Sequence, residues 1–379
     1  MITRLIVGGA QENTLSSVLG LRAKPGVDVR LVSGPSAGPE GSLEARAAKV
    51  PGLLHKLPTL VRPVHPWLDL RAYRELCRLF RSERPDVVHT HSGKAGILGR
   101  LAAHRAGVPV IIHTIHGPSF GPFQGPIANA LFCSAERLAG KYTTHFVSVA
   151  EAMTRQYLAA GIGQPSQYTR IFSGFNLAPF RQAANDPALR ARWGLGPEDI
   201  VVGKIARLFQ LKGHDDLLSA APAILRQCPR VKFLLVGDGA WRQRPEEKAR
   251  ALGISQACVF TGLVSPEEIP ALVGIMDLLV HLSRREGLPR ALPQALAAGR
   301  PVIAYDCDGA SEVCRHEATG LLLPPGTDIT ESVLRLARNP ELRRQLGERG
   351  HNFVLAHFSE PALVDALHTL YCRLLGKPC

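Results

Sequence analysis

A single carboxylate in a loop between two apolar runs is the first place where this chain could do chemistry. Glu286 stands in HLSRREGLPRALPQALAAGRPVIAYDCDGASE, residues 281–312, just after an apolar run, Met276–Val280, that reads as a buried strand. Ser283–Pro289 has the composition of a loop, and Arg290–Ala298 is predicted to be helical. Gly299 stops that helix and Pro301 opens the next apolar strand, Val302–Tyr305. Strand, loop, helix and strand make a βαβ unit, and open parallel sheets bind ligands where loops leave the carboxyl ends of strands. A carboxylate there accepts hydrogen bonds from sugar or ribose hydroxyls, and the amides opening the helix offer a site for phosphate. Upstream, Arg207 and Lys212 lie in IARLFQLKGHDDLL, after the apolar strand Ile200–Ala206. Two cations between a strand and a helix are placed to neutralise a diphosphate. Ordinary surface charge is the alternative, and the otherwise apolar run argues against it.

Other groups invite a metal. His89, His91, His113 and His116 close two apolar strands, Asp86–Thr90 and Val108–Thr114, but no cysteine or carboxylate joins them at ligand spacing. Asp306-Cys307-Asp308 has the bare pattern of a divalent-cation site, yet it follows a strand and runs into Gly309, which reads as a turn. No metal is expected.

Together these motifs resemble the signature of retaining, nucleotide-sugar-dependent glycosyltransferases of family 4. The Glu286-Gly287 pair is followed eight positions on by Gln294, then by A-x-A-x-G-x-P-V from Ala295 to Val302. The resemblance implies the α/β GT-B fold, two Rossmann-like domains with parallel sheets facing across a cleft. Residues 1–177 would form the acceptor-side domain and 178–360 the nucleotide-sugar domain, with a terminal helix within 361–379 crossing back to the first. It further implies that Arg207 and Lys212 grip the donor pyrophosphate, and that Glu286, Gly287 and Leu288 hold the donor. His116 would be the cleft histidine touching the donor sugar; read from its residues alone, it is equally a capping or core histidine. Gly9, in Gly8-Gly9-Ala10-Gln11, falls in the loop after the first strand, near donor phosphate and acceptor. Glu286 and His116 are thus the catalytic candidates, with no enzymic nucleophile and no cofactor beyond the donor.

Gln294 departs from the pattern, since the family has Glu there to accept from the ribose hydroxyls. Glutamine still accepts through its carbonyl oxygen, but a charged acceptor is roughly twice as strong. Transfer activity with weaker or altered nucleotide binding is the expectation, and a degenerate, merely binding protein is the alternative. A nucleotide-sugar epimerase of the same fold should lack the Glu286–Val302 run. A dehydrogenase is excluded, because G-x-G-x-x-G and its ribose-binding acid are absent.

The chain must also supply elements to position these groups. Its 379 residues suit two domains, and 45% hydrophobic with 6% aromatic residues fits an α/β protein. Further strands are predicted at Ile2–Val7, Val27–Ser33, Phe146–Ala150, Lys232–Val236, Val259–Gly262 and Gly320–Leu323, and Arg170–Asn176 resembles the family's last first-domain strand together with its exit. Helices are predicted at Asn13–Leu21, Leu68–Ser82, Glu331–Ala337, Glu341–Arg349 and Ala362–Leu375. Gly34–Gly41 reads as a loop, and Ala178–Asp199 as an interdomain connection. The first strand is short, which suggests that the natural start lies upstream of Met1. MITRLIVGGAQ is no signal peptide, and no apolar run approaches the roughly 18–20 residues that span a bilayer. Eight scattered cysteines without a CxxC pair argue against zinc and against a disulfide framework, and suit a reducing cytosol.

The net charge of +13 is uneven, with +10 in residues 1–175. That points to an anionic partner. On the Leu68–Ser82 helix, Leu70, Tyr73, Leu76, Cys77 and Phe80 share one face and Arg71, Arg74, Arg78 and Arg81 another. The arginine stripe is either a solvated face or a dock for anionic lipid. No nucleic-acid motif accompanies it. The expected protein is a cytoplasmic transferase, peripheral on the inner membrane face, that moves a hexose from a nucleotide sugar to a lipid-linked or polysaccharide acceptor.

Overall fold

The βαβ rhythm is realised twice. The computed structural model describes residues 1–36, 41–121 and 124–379, and the chain divides into Met1–Phe175 with Phe358–Cys379, and Asn176–His357. Residues 37–40 of the expected Gly34–Gly41 loop lie outside the described residues.

The first unit contains strands β1 (Leu31–Ser33), β2 (Leu54–Lys56), β3 (Val87–His91), β4 (Val110–Ile115), β5 (His145–Ser148) and β6 (Tyr168–Arg170). Its helices are α1 (Gly9–Arg22), α2 (Glu44–Ala48), α3 (Pro66–Glu83), α4 (Gly93–Ala106), α5 (Pro126–Gly140) and α6 (Glu151–Ala159). β1 pairs with β2, and β3 to β6 form a parallel sheet in sequence order. Met1 and Ile2 lie between the two sheets. The Met1 amine donates to His89 O (2.7 Å), His91 N donates to Met1 O (2.8 Å), and Ile2 N donates to Val32 O (2.9 Å).

The expected strand Ile2–Val7 therefore ends at Ile2. Beyond it the amides turn to loops, with Leu5 N donating to Ser36 Oγ (2.8 Å) and Val7 N to Gly41 O (3.2 Å). Val27–Ser33 likewise shortens to β1, because Val27 N closes a turn onto Lys24 O. In Arg170–Asn176 the strand ends at Arg170 and the rest is its exit, where Phe175 N donates to Phe358 O of the returning terminal segment (2.8 Å).

The second unit has strands β7 (Ile200–Ile205), β8 (Val231–Val236), β9 (Cys258–Gly262), β10 (Leu278–His281), β11 (Val302–Tyr305) and β12 (Gly320–Leu323). Helices α7 (Ala178–Arg181), α8 (Pro187–Arg192), α9 (His214–Gln227), α10 (Gln243–Ala251) and α11 (Ile269–Gly274) come first. They are followed by α12 (Ala291–Ala297), α13 (Ala310–Val313), α14 (Thr330–Arg338) and α15 (Pro340–His357). The parallel sheet runs β12-β11-β10-β7-β8-β9, so strand order reverses between β7 and β10. Continuous apolar strands such as Ile200–Val202 and Leu278–Val280 are buried on both faces, as parallel sheets require. The expected connection Ala178–Asp199 folds as α7 and α8. It is fixed by the buried Arg190, which donates to Asp199 O (2.6 Å) and Gly196 O (3.0 Å).

The last helix, α16 (Glu360–Leu375), belongs to the first unit and packs Leu363, Val364, Leu367 and Leu370 with Leu21, Ile112 and Val147. Ser359 caps it, accepting from Ala362 N (3.3 Å), and Gly376 ends it at positive φ. That reversal returns Cys379 to Cys372, where the two sulfurs pair as a local disulfide across seven positions. On α3, Leu70 is exposed and Ala72 takes the buried place, because Leu70 sits at the edge of the stripe centred on Leu76 and Phe80.

Candidate functional site

The reversal of strand order leaves a crevice at the carboxyl ends of β7 and β10, the point where open α/β sheets take ligands. Arg207 and Lys212 follow β7; Glu286 follows β10. Gly213 lets the two loops touch. Its φ is +67°, and a Cβ there would stand 2.1 Å from Leu282 O, so a side chain is excluded on both counts. Arg284 N donates to Leu211 O (2.8 Å), and Ser283 Oγ to the same carbonyl (3.3 Å).

This contact seats Lys212 on Glu286. The ammonium is ion-paired to Glu286 Oε1 and lies 3.4 Å from Ser283 Oγ. Burial pushes the Glu286 carboxyl up, but the charge His281 carries when protonated in acid, the Lys212 ammonium, and the hydrogen bonds from Lys212 and Ser283 outweigh it and hold the group below its usual range. Glu286 is thus ionised at neutral pH. Its backbone is fixed too, since Glu286 N donates to Asp308 Oδ2 (2.8 Å) and Gly309 N to Gly287 O (3.0 Å). Asp308 therefore shapes the Glu286 loop; the Asp306–Asp308 turn serves that hydrogen bond.

The other expected residues are placed less tightly. Arg207 is exposed; its carbonyl accepts from His214 Nε2 (3.0 Å). Gly287 and Leu288 are half-buried in the Glu286 loop. Gln294 is a half-buried residue of α12, which has seven residues and begins at Ala291, four positions after Gly287. Gly9 opens α1 instead of lying in a loop, with Gly8 extended at its N-cap.

Two residues absent from the sequence reading belong here. Lys204 is 2% exposed near the end of β7. Burial first, then Lys212, lowers its pKa to about 7, against the opposing pull of Asp216 and Glu286. His281 ends β10 with Nε2 buried and 3.7 Å from Glu286 Oε1. Burial lowers its pKa to about 4, so the ring is neutral. The available signal was a titratable residue inside an apolar strand, VVGKI or LLVH.

In the first unit His91 Nδ1 and His116 Nε2 share a hydrogen bond of 3.0 Å. His89 bonds Thr114 Oγ1 through Nε2 (2.6 Å) and Tyr371 OH through Nδ1 (2.5 Å), and His113 bonds Thr90 Oγ1 (2.9 Å). The rings stack instead of converging, with His89–His91 centroids 4.4 Å apart and His91–His116 5.3 Å apart. Burial lowers the pKa of all four, that of His116 to about 4. Beneath them the fully buried Arg100–Glu136 pair joins α4 to α5, and Ser119 Oγ donates to Glu136 Oε1 (3.1 Å).

A crevice with an ionised, hydrogen-bonded carboxylate beside cations fits a ligand that is both anionic and rich in hydroxyls. The comparisons agree. The profile of Glycosyl transferases group 1 matches residues 185–353, and that of the Glycosyl transferase 4-like domain matches residues 8–172. The chain is 30% identical over 314 residues to EpsD of Bacillus subtilis, a protein named as a glycosyltransferase, covering 80% of each. It is 27% identical over 325 residues to an Escherichia coli UDP-Gal:alpha-D-GlcNAc-diphosphoundecaprenol alpha-1,3-galactosyltransferase, covering 84% of this chain and 83% of that one. In fold it matches Anabaena HepE, solved with UDP, at a TM-score of 0.80 and 21% identity over 97% of both chains. The chain belongs to the family 4, group 1 glycosyltransferases and has their GT-B fold of two Rossmann-like, parallel-sheet domains.

Proposed function

We propose that this glycosyltransferase moves a hexose, with retention of configuration, from a nucleoside-diphosphate sugar to a lipid-linked or growing glycan acceptor of an envelope or exported polysaccharide. The observation that carries the reading is the Lys212–Glu286 pair at the strand-order reversal. Leaving-group departure puts negative charge on the diphosphate, and Lys212 with Arg207 supplies fixed positive charge for it. Glu286, held by Asp308, accepts from the sugar hydroxyls and favours the cationic anomeric carbon. His116, neutral and paired with His91, offers a hydrogen bond without competing charge. Retention follows if the acceptor attacks from the face the diphosphate leaves, with a phosphate oxygen taking its proton. That path needs neither an enzymic nucleophile nor a metal, and the charge-stabilising part falls to the chain's own cations.

The acceptor reading draws on the relatives and on charge. The Escherichia coli relative acts on a diphosphoundecaprenol acceptor. No helix among the described residues is long and apolar enough to cross a membrane. Arg71, Arg74 and Arg78 are exposed on α3 with no ion-pair partner among the described residues, and Trp67 beside them is 75% exposed. Each arginine contributes about 1 kcal/mol at an anionic surface. The proposed location is therefore the cytoplasmic face of the membrane.

The test is release of free nucleotide by purified protein from UDP-, GDP- and ADP-sugars, with a lipid extract as acceptor. Acceptor-dependent release with one donor, and an α-linked product from an α-donor, is expected. No release and no binding of any of the three nucleotides would remove the reading.

A further inference from the structure

Glu286 Oε1 stands between two possible partners. Lys212 is ion-paired to it, while His281 Nε2, buried and without a hydrogen-bond partner, lies 3.7 Å away. A buried polar nitrogen left unmade is costly, and such groups repay explanation. The groups that bear on the His281 ring are Glu286, Lys204 and Lys212. Glu286 favours a proton on the ring; Lys204, from β7, and Lys212 oppose it. Lys212 thus satisfies the carboxylate, and His281 Nε2 stands beside the same oxygen without a bond.

A diphosphate changes that balance, because one ammonium cannot fully serve two anions. We infer that His281 is a positioning residue, the carboxylate's second partner: as Lys212 turns to the donor's diphosphate, the His281 N–H takes over Glu286 Oε1. No covalent step is involved. A hydrogen bond from Nε2 replaces one from the lysine, and the neutral ring must carry its one proton on Nε2 to make it. Glu286 then stays in place for the sugar instead of resting on Ser283 alone. Neither chain neighbour substitutes for it, since Val280 and Leu282 are apolar. The inference rests on the reading that Lys212 grips the diphosphate.

The test is a double-mutant cycle on binding of UDP, with GDP in parallel, by isothermal titration of the full chain. His281→Leu should weaken binding by about tenfold, because the bound state then leaves the half-buried Glu286 carboxylate with Ser283 as its one remaining partner. Glu286→Gln should tighten it, because Lys212 is released. In the Glu286→Gln background, His281→Leu should change affinity by less than about twofold, since a neutral amide needs no standby partner. His281→Gln, whose amide also donates, should lie within about threefold of the parent. A merely structural histidine gives the same loss in both backgrounds, and that result, or an unweakened His281→Leu, overturns the inference while the donor site stands. If the parent binds neither nucleotide, the donor-site reading fails, and this inference with it.

Discussion

The two units reverse strand order at corresponding places, and they line them with opposite chemistry. In the first, Met1–Ile2 sits between β1 and β3, so the order reverses beside His91. In the second it reverses between β7 and β10, beside Lys212 and Glu286. One crevice presents neutral imidazoles bonded to each other and to threonines; the other presents a carboxylate ion-paired to Lys212. Neutral groups that both donate and accept suit hydroxyls, whereas fixed cations suit phosphate. The same topology carries both, which shows that the fold supplies the place and the strand-end residues supply the chemistry.

The sharpest way to break this contrast is to remove what supports the neutral face. Glu136→Ala should strand the fully buried Arg100 and cost about 3–5 kcal/mol in urea denaturation, with the loss confined to the first unit. Loss of less than about 1 kcal/mol would mean the pair is not structural. On the charged side, Lys212→Met should lower turnover by roughly 10²–10³, the usual loss when a preorganised charge at the leaving group is removed. Unchanged turnover would end the claim that this cation serves the reaction.

Acid should separate the units next. His89, His91, His113 and His116 have folded pKa values below 6.5, so their neutral rings contribute full stability above 6.5. That contribution is lost as pH falls through the folded values, to about 4 for His116. Each unit of depression corresponds to about 1.4 kcal/mol. The second unit has two such rings, His214 and His281, both lowered to about 4. Hydrogen exchange between pH 6.5 and 4 should therefore show the first unit opening earlier. Simultaneous opening would contradict the contrast. The smallest effect belongs to Gln294→Glu, which should tighten UDP by about fivefold in titration calorimetry, roughly 1 kcal/mol for a charged acceptor. Weaker binding would show that residue 294 does not meet the ribose.

Much of this was legible in the residues, for reasons that differ along the chain. Val302–Tyr305 and Gly320–Leu323 were bounded correctly because Pro, Gly and turn residues flank short apolar runs. Ile2–Val7 was misread because alternation and apolar content do not reveal where neighbouring strands stop offering partners. Leu70 was misassigned because a helical wheel gives the width of a stripe only roughly.

By itself the sequence determined the two βαβ series, the positions of Glu286, Arg207 and Lys212 at strand ends, and the excess charge of the first half. Those follow from local propensity and periodicity, which each segment carries within itself. The tertiary structure alone decided that Lys212 rests on Glu286, that Asp308 holds the loop, and that His281 waits 3.7 Å from the same oxygen. These residues are separated by up to about a hundred positions, and only the closing of the sheet, with Gly213 admitting one loop against another, brings them together.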